Sequence, residues 1–381
     1  MFYIALLLAK IANHIIVLLH LGAGFTWPGY IAVSVYPGIL NEFKKRYSTK
    51  YIFISGTNGK TTTAKLISHI LHKENYIVIS NKSGANLVNG IVSALLLETS
   101  FFKKKNLDFC VLEVDELALI ELLKVIEPRV LVLLNLSRDQ LDRYGEIDII
   151  LDKWVDSLRN TKSISVVMDS LQPEFKKVSE YYKGPVFYFD DSLEPLEHTN
   201  LVGDYNAKNL NAALTVCGLF GIGKDRCFNA LSDFSVAYGR GEMIDYQGKS
   251  FRIFLAKNPS SFNNNLTLLL AGNLKYDTLL LVLNDEVRDG RDISWIYDVD
   301  PSLLEKACLG KNVYVAGTRN LDMCARLNYS GVDSSGIKTD TSLQKIVNEC
   351  SSDETAKSIA VLPNYSAMLE TRKLLTGKEI L

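Results

Sequence analysis

The chain has 381 residues, of which 47% are hydrophobic and 22% charged. This length accommodates two or three domains, and the composition is that of a folded protein rather than a disordered one. A formal net charge of −1 provides no electrostatic footprint for nucleic acid, and we interpret the lysine run at 103–105 as a solvated loop. The six cysteines form no C-x-x-C pair and no set at metal-binding spacing, which indicates reduced thiols in a cytosolic protein.

An apolar stretch at residues 2–22 is about as long as a membrane span. It carries Lys10, Asn13 and His14 at helical spacing, and it has neither the basic region nor the cleavage site of a signal peptide. Polar residues on one face indicate an amphipathic helix. We therefore expect a helix that packs on the protein or lies at a membrane surface, rather than one that spans the bilayer.

Residues 56–61 form a compact glycine loop, Gly-Thr-Asn-Gly-Lys-Thr, which is shorter than the general phosphate-loop pattern. An apolar, β-rich stretch precedes the loop, and a helical pattern follows it with Leu66, Ile70 and Leu71 on one side. This order directs backbone N–H groups and a helix dipole at one point, where a polyphosphate can bind. The sequence thus predicts a phosphate site; the alternative is an ordinary glycine turn.

The predicted nucleotide-binding residues of this loop are Gly56, Thr57, Asn58, Gly59, Lys60, Thr61 and Thr62. Lys60 would neutralise the β- and γ-phosphates, and the Thr61 hydroxyl would hold Mg²⁺.

Two further apolar runs, FCVLEVD and RVLVLLNL, read as buried parallel strands. The first ends near Glu113 and the second near Asn135, and ligands of open α/β sheets lie at the carboxyl ends of strands. We therefore expect Glu113 to bind Mg²⁺. Asp115 and Glu116 follow closely, so the sequence does not fix which carboxylate does so.

The stretch GDYNAKNLNAA at 203–213 predicts a helix that presents Asn206 and Asn209 near its N-terminus. An amide both donates and accepts hydrogen bonds, which suits the edge of a purine base. The alternative is that these are capping or surface asparagines.

Together these stretches resemble the Mur ligase family. GTNGKTTT is similar to its short ATP loop, LEVDE to its Mg²⁺-binding strand and GDYNAKNLNAA to its adenine-side helix. Residues 135–148 resemble a segment that reads D-H-x-D-R in most members, with Gln140 in place of the histidine. This departure indicates the MurT branch, and YGRGE and NDEVRDGRDISWIYDVD resemble its C-terminal domain.

The resemblance implies an α/β fold, with a P-loop central domain built on a parallel sheet and a smaller Rossmann-like α/β domain. We expect a leader at 1–45, the central domain at 46–236 and the C-terminal domain at 237–381. The implied reaction is ATP-dependent amidation of the α-carboxyl of D-glutamate in the lipid II stem peptide, through an acyl phosphate. The implied location is the cytoplasm. Attachment to the inner face of the plasma membrane is the alternative.

The resemblance implies ATP and Mg²⁺ as cofactors. It also implies that the Arg240 side chain adds a positive charge at the nucleotide; the alternative is that Arg240 forms a surface salt bridge. Members of this branch commonly carry a four-cysteine zinc ribbon in the central domain. Residues 160–200 contain no cysteine, so no zinc is expected.

Ammonia is implied to come from a separate glutamine amidotransferase subunit, resembling GatD, in a heterodimer. That partner supplies a cysteine and a histidine, and Asp298 in SWIYDVD is implied to complete the triad, with Asp300 as the alternative. Two other functions stay open: another Mur-type amino-acid ligase, and a nucleotide-binding scaffold without catalysis. The sequence also leaves open the third stem residue and carbamylation of Lys153.

Overall fold

The protein is described by a computed structural model that covers residues 1–19, 26–81, 85–101, 106–137, 147–189, 196, 199, 201–235, 238–272, 274–286, 289 and 292–378. These residues divide into two compact units. The first lies within residues 1–235, and the second comprises 201–203 with 238–378.

The first unit is built on a parallel sheet whose described strands follow the order β2-β3-β1-β4-β5-β6. Their bounds are β1 Lys50–Ser55, β2 Val78–Ser80, β3 Phe109–Glu113, β4 Val130–Leu133, β5 Ser165–Asp169 and β6 Val186–Phe189. All residues of β3, β4 and β5 are buried, as continuous apolar runs require when helices cover both faces of a sheet.

Helices flank this sheet. They are α1 Phe2–Leu18, α2 Trp27–Val35, α3 Ile39–Arg46, α4 Lys60–Lys73, α5 Val88–Leu97, α6 Glu116–Leu123, α7 Ile147–Leu158, α8 Lys176–Tyr181, α9 Asp204–Gly218 and α10 Lys224–Leu231, with a 3₁₀ turn at Pro173–Phe175. Helix α4 begins at Lys60, directly after the second glycine of the loop, and buries Leu66, Ile70 and Leu71, which confirms the predicted apolar side of this helix.

Helix α1 packs on the protein, because Phe2 and Leu6 lie in the same hydrophobic core as Phe53 of the central strand. Its outer face differs from the predicted polar one. Lys10 donates to the carbonyl of Leu97 at 3.2 Å, whereas large apolar side chains are exposed along the helix: Tyr3, Ile4, Leu7, Leu8, Ile11, Ile15, Val17 and Leu18. Among the helices that the structure describes, none is long and apolar enough to cross a bilayer.

The second unit carries a mixed sheet whose described strands follow the order β11-β10-β9-β12-β8-β7. These are β7 Arg240–Tyr246, β8 Lys249–Phe254, β9 Thr278–Val282, β10 Asn312–Ala316, β11 Lys338–Asp340 and β12 Ser358–Pro363. Strand β7 is antiparallel to β8, and the other neighbours are parallel.

Helices of this unit are α11 Pro259–Leu270, α12 Pro301–Cys308, α13 Asn320–Tyr329, α14 Leu343–Ser352 and α15 Tyr365–Thr376, with 3₁₀ turns at Ser294–Asp298 and Ser334–Gly336. The α/β fold predicted from the sequence is confirmed, with a parallel sheet in the first unit and a second α/β sheet after it.

Candidate nucleotide-binding site

Two glycines give the loop at 56–61 its shape. Gly56 has φ +133° and Gly59 φ +89°, a region of backbone conformation that favours glycine. A β-carbon at Gly56 would lie 2.8 Å from the carbonyl oxygen of Asn135, so the loop passes too close to the neighbouring strand end for a side chain. Thr62, the last predicted loop residue, is buried in the first turn of α4.

Asn135 fixes the loop from the carboxyl end of β4. Its Oδ1 accepts from the backbone N–H of Asn58 at 2.9 Å, and its Nδ2 donates to the Asn58 carbonyl at 3.0 Å. The N–H of Thr57 donates to the Asn135 carbonyl at 2.9 Å. Such reciprocal bonds set the direction of the loop backbone before a ligand arrives.

Lys60 lies inside the loop. Its Nζ donates to Glu116 Oε1 at 3.1 Å and to the carbonyl of Gly56, and the side chains of Lys60 and Glu116 are only 8% and 7% exposed. The sequence pattern predicted Lys60 as a phosphate cation but did not predict this buried partner.

Thr61 and Glu113 lie together beside the loop. The Thr61 hydroxyl donates to Glu113 Oε2 at 2.7 Å. Asn81 holds the end of β3 in place, because its Oδ1 accepts from the N–H of Glu113 at 2.9 Å and its Nδ2 donates to the Glu113 carbonyl at 2.8 Å.

The three neighbouring carboxylates therefore have different contacts. Glu113 bonds Thr61, Glu116 pairs with Lys60, and Asp115 caps α6 by accepting from the N–H of Leu117 at 3.1 Å. Of the three, Glu113 has the position that suits a metal ion next to the loop.

Thr61 and Glu113 are oxygen donors, the ligand type that Mg²⁺ prefers, and Mg²⁺ is usually held by one or two carboxylates with waters and substrate phosphates. The donor set therefore fits Mg²⁺. In the part of the chain that the structure describes, no group of three or more His, Cys, Asp or Glu side chains has the arrangement of a metal site. The absence of zinc stays a prediction.

Helix α9 packs its predicted asparagines against the loop. A β-carbon at Gly59 would lie 2.2 Å from Asn209 Oδ1, and Asn209 Nδ2 donates to Asn206 Oδ1 at 3.1 Å. Asn206 is 1% exposed and Asn209 5%, so neither is a surface asparagine. The structure brings Asn209 against Gly59 of the loop and Asn206 against Asn209; contact of either amide with a purine base stays a prediction.

One further ion pair on this side of the sheet was not predicted. Lys208 of α9 contacts Asp169 at the end of β5, with 3.2 Å between Nζ and Oδ2. Asp169 is 2% exposed. In the sequence, this ion pair is indicated only by the position of Lys208 within the asparagine-rich helix α9.

In the second unit, Arg240 begins β7 between two glycines with positive φ, Gly239 at +67° and Gly241 at +89°. The register with β8 is irregular between Arg240 and Glu242, and Glu242 accepts from Arg372 Nε at 2.9 Å. The structure thus places Arg240 at a bulged strand start, where its side chain is half-buried.

The two candidate triad aspartates have different surroundings. Asp300 caps α12, since its Oδ1 accepts from the N–H groups of Ser302 at 2.8 Å and Leu303 at 3.1 Å. Asp298 ends the 3₁₀ turn and is exposed. Its carboxylate makes no hydrogen bond or ion pair with the residues that the structure describes.

Two polar residues that follow β9, Asn284 and Asp289, make hydrogen bonds within the second unit. Asn284 is 4% exposed, its Oδ1 accepts from Thr318 N–H at 3.0 Å and its Nδ2 donates to Glu370 at 3.1 Å. Asp289 accepts from the N–H of Ser366 at 2.8 Å, and burial raises the pKa of the Asp289 carboxyl while the Ser366 bonds oppose that rise. Arg291, like Gln140 and the rest of 138–146, lies outside the described residues.

Two protein-family domain models match the chain. Residues 54–183 match the Mur ligase middle domain and residues 255–368 the MurT ligase C-terminal domain. Among curated proteins, the chain is 29% identical to the MurT subunit of lipid II isoglutaminyl synthase from Staphylococcus aureus, covering 81% of this chain and 84% of that protein. It is 28% identical to the MurT subunit from Streptococcus pneumoniae, covering 98% of this chain and 97% of that one.

Among solved structures, the MurF ligase from Thermotoga maritima in complex with ADP superposes with a TM-score of 0.70 at 18% identity, covering 90% of this chain and 82% of that one. This likeness concerns the fold. Two family domains match in the expected order and relatives align over most of the chain, so the chain resembles the Mur ligase family along most of its length, and its MurT branch in particular.

Proposed function

We propose that the protein is the ATP-dependent ligase subunit of a lipid II isoglutaminyl synthase, which amidates the α-carboxyl of D-glutamate in the stem peptide. The observation that carries the proposal is the clustering of Lys60, Thr61 and Glu113 at the glycine loop. The named activity of the MurT relatives supports the choice of acceptor.

A carboxylate resists attack by ammonia because oxide is a poor leaving group. In the proposed reaction, a carboxylate oxygen bonds to the γ-phosphorus of ATP while the bond to the bridging oxygen breaks and ADP leaves. The lone pair of ammonia then attacks the acyl carbon, phosphate departs with the electrons of its C–O bond, and a proton is lost to give the amide. The protein's task is to orient the reactants and neutralise phosphate charge.

The residues of the loop have separate roles in this scheme. The backbone N–H groups at the start of α4 bind phosphate oxygens, and Lys60 moves from Glu116 to the γ-phosphate, where charge develops. Thr61 and Glu113 would hold Mg²⁺, which would supply positive charge against the phosphate groups. Asn206 and Asn209 contact the adenine side, and Arg240 supplies a further cation to the phosphates.

We assign the nitrogen supply to a GatD-like glutamine amidotransferase partner, to which this chain contributes Asp298. An orienting carboxylate must be free to accept from the partner's histidine. Asp298 is exposed, whereas the carboxylate of Asp300 is already engaged in capping α12. These contacts favour Asp298.

The function is tested by ATP turnover with purified lipid II, ammonium and Mg²⁺. We expect ATP consumption only when lipid II and ammonium are both present, and one carboxamide formed for each ATP consumed. A free amino acid that replaced ammonium as the acceptor would instead establish another Mur-type ligase. No acceptor-dependent turnover, despite ATP binding, would leave only a nucleotide-binding scaffold.

We also infer that α1 lies on the membrane that contains the lipid-linked substrate. Helices α2 and α3 contact α1. Helix α2 exposes Trp27 and Tyr30, which are 58% and 54% exposed, and α3 exposes Lys44 and Lys45. Interfacial helices combine such an apolar face with aromatic and basic residues.

Flotation with vesicles of anionic phosphatidylglycerol tests this contact. The protein should float with the vesicles, Leu7→Glu should abolish flotation, and Ile149→Glu should not, although Ile149 is 49% exposed in the same unit. Protein that stays unbound, or a dimer that forms through α1 without vesicles, would contradict the inference.

A further inference from the structure

A buried arginine holds the segment that carries Asp298. Arg326 of α13 is 4% exposed. Its Nε donates to the carbonyl of Ile296 at 2.8 Å, and its Nη2 donates to the carbonyl of Val299. These two carbonyls lie on either side of Asp298 in the chain, so one guanidinium joins both ends of this short stretch.

Other contacts fix the same backbone. Ile296 is 0% and Val299 2% exposed, which anchors the segment in the core on both sides of the exposed aspartate. The N–H of Asp300 donates to Asn263 Oδ1 of α11 at 2.9 Å. The backbone around Asp298 is therefore held at three points, while its carboxylate is left facing solvent.

Stability alone is a poor explanation for this arginine. Burial lowers the pKa of the Arg326 guanidinium, and within the described residues its hydrogen bonds go to two carbonyls and, at 2.8 Å, to the Ser330 hydroxyl, with no carboxylate in ion-pair contact. The Asp300 carboxylate opposes that lowering of the pKa through space, at a distance beyond ion-pair contact. A buried cation without a direct ion pair costs free energy relative to an apolar side chain. What the guanidinium provides is a rigid fork that bonds two carbonyls at once, which a lysine ammonium does not reproduce.

We propose that Arg326 is a positioning residue for the glutamine-dependent half of the reaction. It fixes the backbone at Ile296 and Val299 so that the Asp298 carboxylate meets the histidine of the amidotransferase partner. The inference rests on the proposed function, because it takes the role of Asp298 from there. Arg326 acts through the position of the backbone that carries Asp298. A displacement of about 1 Å at a reacting group costs on the order of 10²-fold in rate.

The test uses the assembled complex with the variant Arg326→Lys, which keeps the charge and loses the fork. Glutamine-driven amidation should fall on the order of 10²-fold in kcat, with the KM for glutamine unchanged because glutamine binds to the partner. Amidation driven by free ammonium should stay within about twofold of the wild-type protein in the same preparation. Ser330→Ala is the matched control: it removes one bond of Arg326 but neither carbonyl contact, and both rates should be retained.

A double-mutant cycle with Asp298→Asn separates positioning from a structural role. If Arg326 acts only through Asp298, adding Arg326→Lys to Asp298→Asn causes no further loss of glutamine-driven activity. Additive losses, equal losses with ammonium and glutamine, or an unimpaired Arg326→Lys complex would each overturn the inference while leaving the ligase function in place. Failure of the wild-type complex to amidate with either nitrogen source would instead overturn the proposed function itself.

Discussion

Lys60 is the residue on which the nucleotide-binding proposal depends most directly. Lys60→Ala should reduce ATP-dependent amidation by on the order of 10²-fold or more, because it removes a charge contact that strengthens in the transition state. Lys73→Ala, at the exposed end of the same helix, is the control and should keep its activity.

The Lys60 substitution also leaves the buried Glu116 carboxylate without its cation, so the variant will lose stability. The double variant Lys60→Met/Glu116→Gln removes both charges and should recover stability without recovering activity. Near-normal turnover in either variant would contradict the phosphate-loop assignment.

Gly59 gives a second prediction at the scale of one residue. Gly59→Ala must adopt φ +89° and place its β-carbon 2.2 Å from Asn209 Oδ1. We expect a loss of about 1–3 kcal/mol in the free energy of unfolding and weaker nucleotide binding, measured by denaturant unfolding and by titration with ADP.

Gly218→Ala in α9 is the matched control for Gly59, because nothing lies within 4 Å of the added carbon and alanine favours a helix. It should be neutral or stabilising. Equal effects of the two substitutions would show that neither the backbone conformation of Gly59 nor its contact with Asn209 matters.

The motif predicted Lys60 and Thr61 at the loop, since strand, loop and helix start occur in a fixed order along the chain. The end of the next predicted strand offered Glu113 with two neighbouring carboxylates as alternatives, and the contact with Thr61 distinguishes Glu113 from them. Glu116 and Asn81 were not predictable as partners of the site residues. Both act through tertiary contacts, Glu116 with Lys60 and Asn81 with Glu113, and no local pattern distinguishes a buried carboxylate or amide at such a place from a surface one.

At the scale of elements, the 3₁₀ turn Ser294–Asp298 carries a prediction that separates the two half-reactions. Asp298→Asn should reduce glutamine-driven amidation by roughly 10⁴-fold, because an amide does not hold the partner's histidine in the required tautomer. Free ammonium should bypass the defect, since Lys60, Thr61 and Glu113 are unchanged.

Asp300→Asn serves as the comparison for Asp298, and it should lower stability through the α12 cap more than it lowers glutaminase activity. If Asp298→Asn keeps full glutaminase activity in the complex, Asp298 is not the triad acid. If ammonium does not restore amidation in a folded complex, Asp298 belongs to the ligase site.

The depth of burial of a strand decided whether the sequence predicted it. Strands β1, β3 and β4 are apolar runs, and their positions were predicted correctly. Strand β7 is half-exposed and bulged at its start, and β11 has three residues that are largely exposed, so neither has the continuous apolar pattern that indicates a buried strand.

At the scale of the whole molecule, the core of the first unit extends into the N-terminal helices. Phe2 and Leu6 of α1 and Phe43 of α3 share a hydrophobic core with the central sheet. The sequence predicted a helix that packs on the protein or lies at a membrane surface, but it did not predict the exposed apolar face. The spacing of Lys10 and Asn13 defines a polar side of the helix, and it does not reveal which side the neighbouring elements cover.

Metal content gives a prediction for the entire chain. Five of the six cysteines are buried and all six are free thiols, and residues 160–200 contain none. Elemental analysis of the purified protein should therefore find no stoichiometric zinc. One tightly bound zinc per chain that survives dialysis against a chelator would show that the cysteines or histidines form a site we have not recognised.

The central claim, that the protein activates a carboxylate by phosphorylation, is tested most directly by following the carboxylate oxygens. Lipid II labelled with heavy oxygen in the α-carboxyl of D-glutamate is incubated with the complex, ATP and ammonium, and the inorganic phosphate is analysed by mass spectrometry. Because the oxygen that leaves the acyl carbon departs with the phosphate, each amidation should transfer one labelled oxygen to phosphate. Amidated lipid II accompanied by unlabelled phosphate would contradict the account.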